Sequence, residues 1–305
     1  VALFRDAYGA LIRQQATVPS PDSRKAAAGE SAENYALRCA AALEQHLQQH
    51  HAQLAAFIIE PLVQGAAGMA MYHAVYLRRA RELCDEYDVH LIADEIAVGM
   101  GRTGTLLACE QAPPLSPKGR GNESSDALPS PVYGRGVGGE GITPDFLLLS
   151  KGITGGYLPL SVVMTRDEIY QAFYADETVR GFLHSHSYTG NPLACRAALA
   201  TLDIFVQDDV LAANRNKTTC LNHMARPLSE HRAVRNWRNT GMIWAFEVAS
   251  PHRDFAQRCF ALALQNELLL RPVGNTIYFM PPYVIGEEEM QLLVTRTLDI
   301  VEALA

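Results

Sequence analysis

Three short apolar runs in this sequence each stop at an ionisable residue, and that pattern narrows the possible folds more than any other feature. Ala55–Ile59 ends at Glu60-Pro61, Val89–Ala93 at Asp94-Glu95, and Phe146–Leu149 at Ser150-Lys151-Gly152. A fourth run, Leu160–Met164, follows at once. Between them the period changes. Residues 35–50 carry helical spacing, and Leu77, Ala80, Leu83, Cys84 and Tyr87 mark a second helix over Tyr76–Tyr87. Short continuous apolar runs alternating with helices indicate parallel strands buried on both faces, hence an α/β layer fold with a mostly parallel sheet.

The chain continues helix-like from Pro192 to about Leu228 and then changes character. Met242–Val248 and Thr276–Met280 read as strands, while Phe255–Leu268 and Glu287–Leu304 read as helices. A boundary is expected near 225–235. It divides the chain into a large domain, 1–228, and a small C-terminal α+β domain, 229–305, in keeping with the two domains that 305 residues allow. Residues 113–142 interrupt the large domain. They hold 7 of the 22 glycines and 5 of the 16 prolines. With too few apolar residues to offset ordering entropy, this stretch is expected to be a flexible surface insertion.

Composition excludes several classes. With 33 acidic against 26 basic residues the net charge is -7, which disfavours nucleic acid as a partner. No run of 18 apolar residues predicts a membrane span. The six cysteines form no C-x-x-C pair and read as reduced core residues. His184 and His186 lack a third ligand at sensible spacing, so no metal is expected. The first residue is Val1 and no charged-then-apolar leader follows, so no signal peptide is expected and the cytoplasm is the default.

Ligands of parallel α/β sheets bind beyond the carboxyl ends of the strands. Three such ends carry Glu60, Asp94 and Lys151. A carboxylate and a lysine aimed at one crevice suit pyridoxal phosphate, whose aldehyde condenses with lysine and whose ring nitrogen needs an anionic partner. Read alone, each residue could equally be a helix cap or a solvated charge.

The segments IIEPLVQGAAGM (58–69), LIADEIAVGMGRTG (91–104), DFLLLSKGITGGYLPLSVVMT (145–165), SHSYTGNPLAC (185–195) and LLRPVGNTIYFMPPY (269–283) resemble, in that order, the class III aminotransferases of pyridoxal phosphate fold type I. Their wording is most similar to the branch that makes 7,8-diaminononanoate for biotin by moving an amino group from S-adenosylmethionine to 8-amino-7-oxononanoate. The resemblance implies pyridoxal 5'-phosphate as cofactor and a homodimer with active sites at the interface. It implies that Lys151 is the Schiff-base lysine and general base, and that Asp94 is the partner of the ring nitrogen. Glu60 corresponds to a glutamate near the cofactor, or else caps a helix or makes a structural pair. Ser187 corresponds to a hydroxyl reaching the cofactor phosphate of the neighbouring subunit, with a helix N-cap as the alternative. Arg271 corresponds to the clamp on the substrate carboxylate, and Tyr278 to a tyrosine near the substrate or a strand-packing aromatic. The role of Arg102 stays open.

Two departures from the family pattern stand out. Asp94 and Lys151 are about twice as far apart in sequence as family members without the 113–142 stretch place them. No Gly-Ser phosphate loop and no ring-stacking aromatic precede Ala55, so the N-terminal part of the large domain is expected to be missing. Alternatives are another class III ω-aminotransferase, an aminomutase, or a non-catalytic truncated remnant.

Overall fold

The computed structural model describes residues 8, 9, 11, 15–112 and 141–305. Most of the expected insertion, 113–140, lies outside them. In chain order come α1 (Ala32–His50), β1 (Ala56–Ile59), β2 (Val63–Gln64), β3 (Ala70–Met71), α2 (Val75–Glu86), β4 (His90–Asp94), β5 (Phe146–Leu149) and β6 (Val162–Thr165). Then follow α3 (Asp167–Gln171), α4 (Pro192–Gln207), α5 (Val210–Met224), α6 (Arg226–Ser229), β7 (Val234–Thr240), β8 (Ile243–Val248), α7 (Phe255–Gln265), β9 (Thr276–Phe279) and α8 (Glu287–Leu304). They divide into two compact units whose segments interleave.

One unit comprises Glu44–Leu62 and Ala74–Ala213 and contains the sheet β1-β4-β5-β6. β1, β4 and β5 run parallel. The sheet is mostly parallel, as the sequence predicts, with β6 antiparallel to β5. The link between them holds only the 3-10 turn Lys151–Thr154 and no crossover helix, so the chain returns on itself. One sheet face is dry: Ile59, Leu91, Ala93, Leu147 and Leu149 are buried. The other is open, with Ile58 57% and Val163 64% exposed.

The amino end of β5 is held by Asp145. Its carboxylate meets Arg81 of α2 at 2.7 Å and Arg166 at 2.6 Å, and accepts the Leu91 N–H of β4 at 2.7 Å. Burial raises the affinity of this carboxyl for its proton, but the Leu91 amide and the Arg81 guanidinium outweigh burial and hold it below the usual range. One cluster therefore ties a helix and three strands together at the end opposite the candidate residues.

The other unit comprises residues 1–43, 63–73 and 214–305. Its antiparallel sheet β7-β8-β9 lays Trp244, Phe246, Ile277 and Phe279 against α7 and α8 residues such as Phe255, Met290 and Val301. Glu247 joins the segments of this unit, accepting Arg24 and Arg238 at 2.8 Å each. Arg238 also donates to the carbonyls of Gly68 and Met69.

The long helix expected over 192–228 is three helices. The first break falls at Asp208-Asp209, where Asp209 takes a left-handed φ of 43° that no helix continues, and the second at Ala225.

Candidate functional site

Apolar runs end where backbone leaves the sheet, so the residues after them crowd one edge. Ile59 faces Ala93 across β1 and β4, and Asp94 faces Leu148 across β4 and β5. Extending that register sets Glu60 level with Asp94, one strand over. Lys151 lies three residues past Leu148, in the 3-10 turn that follows β5. The three residues thus stand at or just past the carboxyl ends of three adjacent strands spaced about 4.8 Å apart.

Lys151 is exposed and adopts a φ of 46°, the left-handed region that costs a lysine roughly 1–2 kcal/mol. It opens the 3-10 turn Lys151–Thr154. The turn is held by Ser150 Oγ donating to Leu160 O at 2.8 Å and Thr154 Oγ1 donating to Leu158 O at 2.6 Å. Gly152 beside it is closely packed: a Cβ there would stand 3.0 Å from the Met100 Cβ, which would have to give by a few tenths of an ångström. Backbone strain held by surrounding bonds is a mark of sites where geometry matters more than stability.

Asp94 is half-buried, and its Oδ1 accepts the Ile96 N–H at 3.1 Å. Beside it Glu95 is 1% exposed, and its carboxyl oxygens accept the N–H groups of Ala108 at 2.6 Å and Cys109 at 2.8 Å. Burial pushes the Glu95 carboxyl up to about 7, against these two amides. Glu95 was not among the residues the sequence singled out. Its one signal is Gly99, where a Cβ would stand 2.9 Å from the Glu95 carbonyl and carboxyl oxygens.

Ser187 belongs to the same unit but to a stretch, residues 170–190, that is exposed throughout. It does not cap α4. That role falls to Asn191, whose Oδ1 accepts the Leu193 N–H at 3.0 Å, with Pro192 at the first helical position. Arg271 and Tyr278 belong to the other unit. Arg271 is exposed, two residues before a tight turn in which Val273 and Thr276 exchange backbone hydrogen bonds. Tyr278 pairs with Ala245 on the sheet face opposite the buried Ile277 and Phe279. Among the described residues, no group of three or more His, Cys, Asp or Glu could hold a metal ion, and no helix is long and apolar enough to cross a membrane.

Comparison with known proteins gives one consistent result. The sequence profile described as Aminotransferase class-III matches residues 3–118 and 135–301, breaking off and resuming inside the glycine- and proline-rich stretch. The adenosylmethionine-8-amino-7-oxononanoate aminotransferase of Helicobacter pylori is 40% identical over the whole chain, and that of Nitratidesulfovibrio vulgaris is 35% identical over 96% of it. The chain spans 63% and 51% of their respective lengths. The crystal structure of the Methanocaldococcus jannaschii enzyme of the same name superposes with a TM-score of 0.80 at 28% identity, covering 99% of this chain and 63% of that one.

Proposed function

This chain belongs to the class III aminotransferases, and from that membership we propose that it takes part in transferring an amino group from S-adenosylmethionine to 8-amino-7-oxononanoate, giving 7,8-diaminononanoate for biotin synthesis. The observation that supports the proposal is that β1, β4 and β5 are adjacent parallel strands, so that Glu60, Asp94 and Lys151 stand at or just past the carboxyl ends of three neighbouring strands. The names of the relatives supply the substrates.

That edge fits pyridoxal 5'-phosphate: an exposed amine stands one strand from a half-buried carboxylate. When bound, this cofactor supplies the carbon that carries the amino group and a ring that withdraws electrons from the substrate's α-carbon. The Lys151 Nζ would hold the cofactor, and when free would act as the base that moves the proton of the substrate α-carbon. The Asp94 carboxylate holds the proton on the ring nitrogen, since an unpaired charge at a half-buried position would be costly. Glu60 lines the same edge. The Arg271 guanidinium holds the substrate carboxylate with two parallel hydrogen bonds, and Tyr278 borders the substrate. Ser187 donates its hydroxyl to the cofactor phosphate of a neighbouring subunit.

A homodimer in the cytoplasm completes the reading. Its support is the apolar surface of residues 157–193, where Tyr157, Val179, Phe182, Leu183, Tyr188 and Leu193 are each at least 72% exposed. Patches of that kind mark association surfaces. The open sheet face favours a second reading, in which the chain pairs with a longer subunit without turning over.

The test is to add pyridoxal phosphate to the purified chain and record the near-visible spectrum. A protein-bound band is expected, lost in Lys151→Ala and shifted in Asp94→Asn. Mass spectrometry should detect 7,8-diaminononanoate from the two substrates. A spectrum of free cofactor alone sinks the reading of this chain as a holoenzyme.

A further inference from the structure

The Glu95 carboxyl is buried without a cation: among the described residues it makes no ion pair, and the titratable groups facing it are Cys109 and Glu110. A buried carboxyl so placed is expensive unless its hydrogen bonds serve a purpose. Here they close a ring. The Glu95 N–H donates to Leu148 O at 3.0 Å, adding a rung to the β4–β5 ladder beyond Asp94. Its carboxyl oxygens hold the Ala108 and Cys109 amides. The Cys109 carbonyl in turn accepts the Ile142 N–H at 3.3 Å, and Asp145 N–H donates to Leu91 O at 2.9 Å as β5 begins. Residues on both sides of 113–140 are thus tied, through one side chain, to the strand ends of Asp94 and Lys151. Gly99 leaves room for that side chain alone.

We propose that Glu95 is a positioning residue, whose two-amide grip fixes the β4 end bearing Asp94 against the β5 end bearing Lys151. The importance of that spacing for catalysis rests on the function proposed above; the spacing itself does not.

Two variants of the full chain test it by amide hydrogen exchange, one pH unit above the Glu95 midpoint of about 7. Glu95→Gln keeps one acceptor but turns an NH2 group toward the other amide. Gly99→Ala crowds the carboxyl and serves if Glu95→Gln does not fold. Exchange about tenfold faster is expected at Ala108 and Cys109 and also across 142–155, with 243–248 unchanged, as for loss of one charged hydrogen bond. Faster exchange confined to 108–109, or spread over the whole chain, overturns the proposal. In the same variants the Lys151-dependent band should shift its pH midpoint relative to the unmodified chain; an unmoved midpoint also counts against a positioning role. If the unmodified chain gives no band, the proposed function fails while the exchange result still decides the role of Glu95.

Discussion

Arg81 and Asp145 form a buried ion pair at 2.7 Å, at the end of β5 opposite Lys151. The catalytic candidates therefore stand on a sheet whose far end is locked by charge, which leaves the near end free to carry strained and half-buried groups. Removing Asp145 leaves the buried Arg81 with only the exposed Asp85, at 2.6 Å, as its ion-pair partner.

Asp145→Asn should accordingly lower the unfolding free energy by ~3 kcal/mol, measured by urea denaturation at neutral pH. The acid limb gives the sign independently. The folded pKa of Asp145 is depressed, so its contribution is present above the unfolded value of about 3.9 and lost as pH falls through the folded value. In the variant, stability should fall less steeply over that acid range; an unchanged acid limb would contradict the assignment.

Glu95 predicts the reverse slope. Its folded pKa, about 7, lies above an unfolded value of about 4.3, so the folded state binds the extra proton between the two. Its contribution is complete below the unfolded value and is lost as pH rises to about 7. At 1.36 kcal/mol per unit this amounts to roughly 3–4 kcal/mol. Glu95→Gln should flatten stability over that interval in thermal melts recorded against pH.

The Cys109–Ile142 hydrogen bond predicts that 113–140 is dispensable. Joining Ala112 to Gly141 through a few glycines shortens the closure by about three doublings of length, a gain of ~2 kcal/mol at roughly 0.6 each. The shortened chain should melt higher and keep its Lys151-dependent band. Loss of the band with the fold intact would show that the stretch contributes to the site.

Val179 and Leu183 are 85% and 82% exposed within the stretch proposed to meet a second copy. Val179→Asp and Leu183→Asp should each shift the sedimentation coefficient from dimer to monomer, leaving far-ultraviolet circular dichroism unchanged. A monomeric unmodified chain would remove the proposed interface.

The sheet edge was legible because β1, β4 and β5 are apolar until the residue that leaves the sheet, so Glu60, Asp94 and Lys151 announce themselves as boundaries. β7 was not. Val234–Thr240 is a polar edge strand that owes its pairing to β8 and carries Arg238, whose partners Gly68 and Met69 lie about 170 residues away. Nor could pattern alone place the helix break at Asp208-Asp209, which lacks glycine and proline, or tell that Glu95 is buried while the adjacent Asp94 is only half so. Both depend on tertiary contacts that no local period records.

The left-handed φ of Lys151 bears on how this protein would fare in directed evolution. Glycine at 151 would relieve the backbone, with a gain of the order of 1 kcal/mol. A library sorted only for heat resistance would therefore enrich that replacement and discard the amine, so thermostability screens on this scaffold need a cofactor-binding readout alongside.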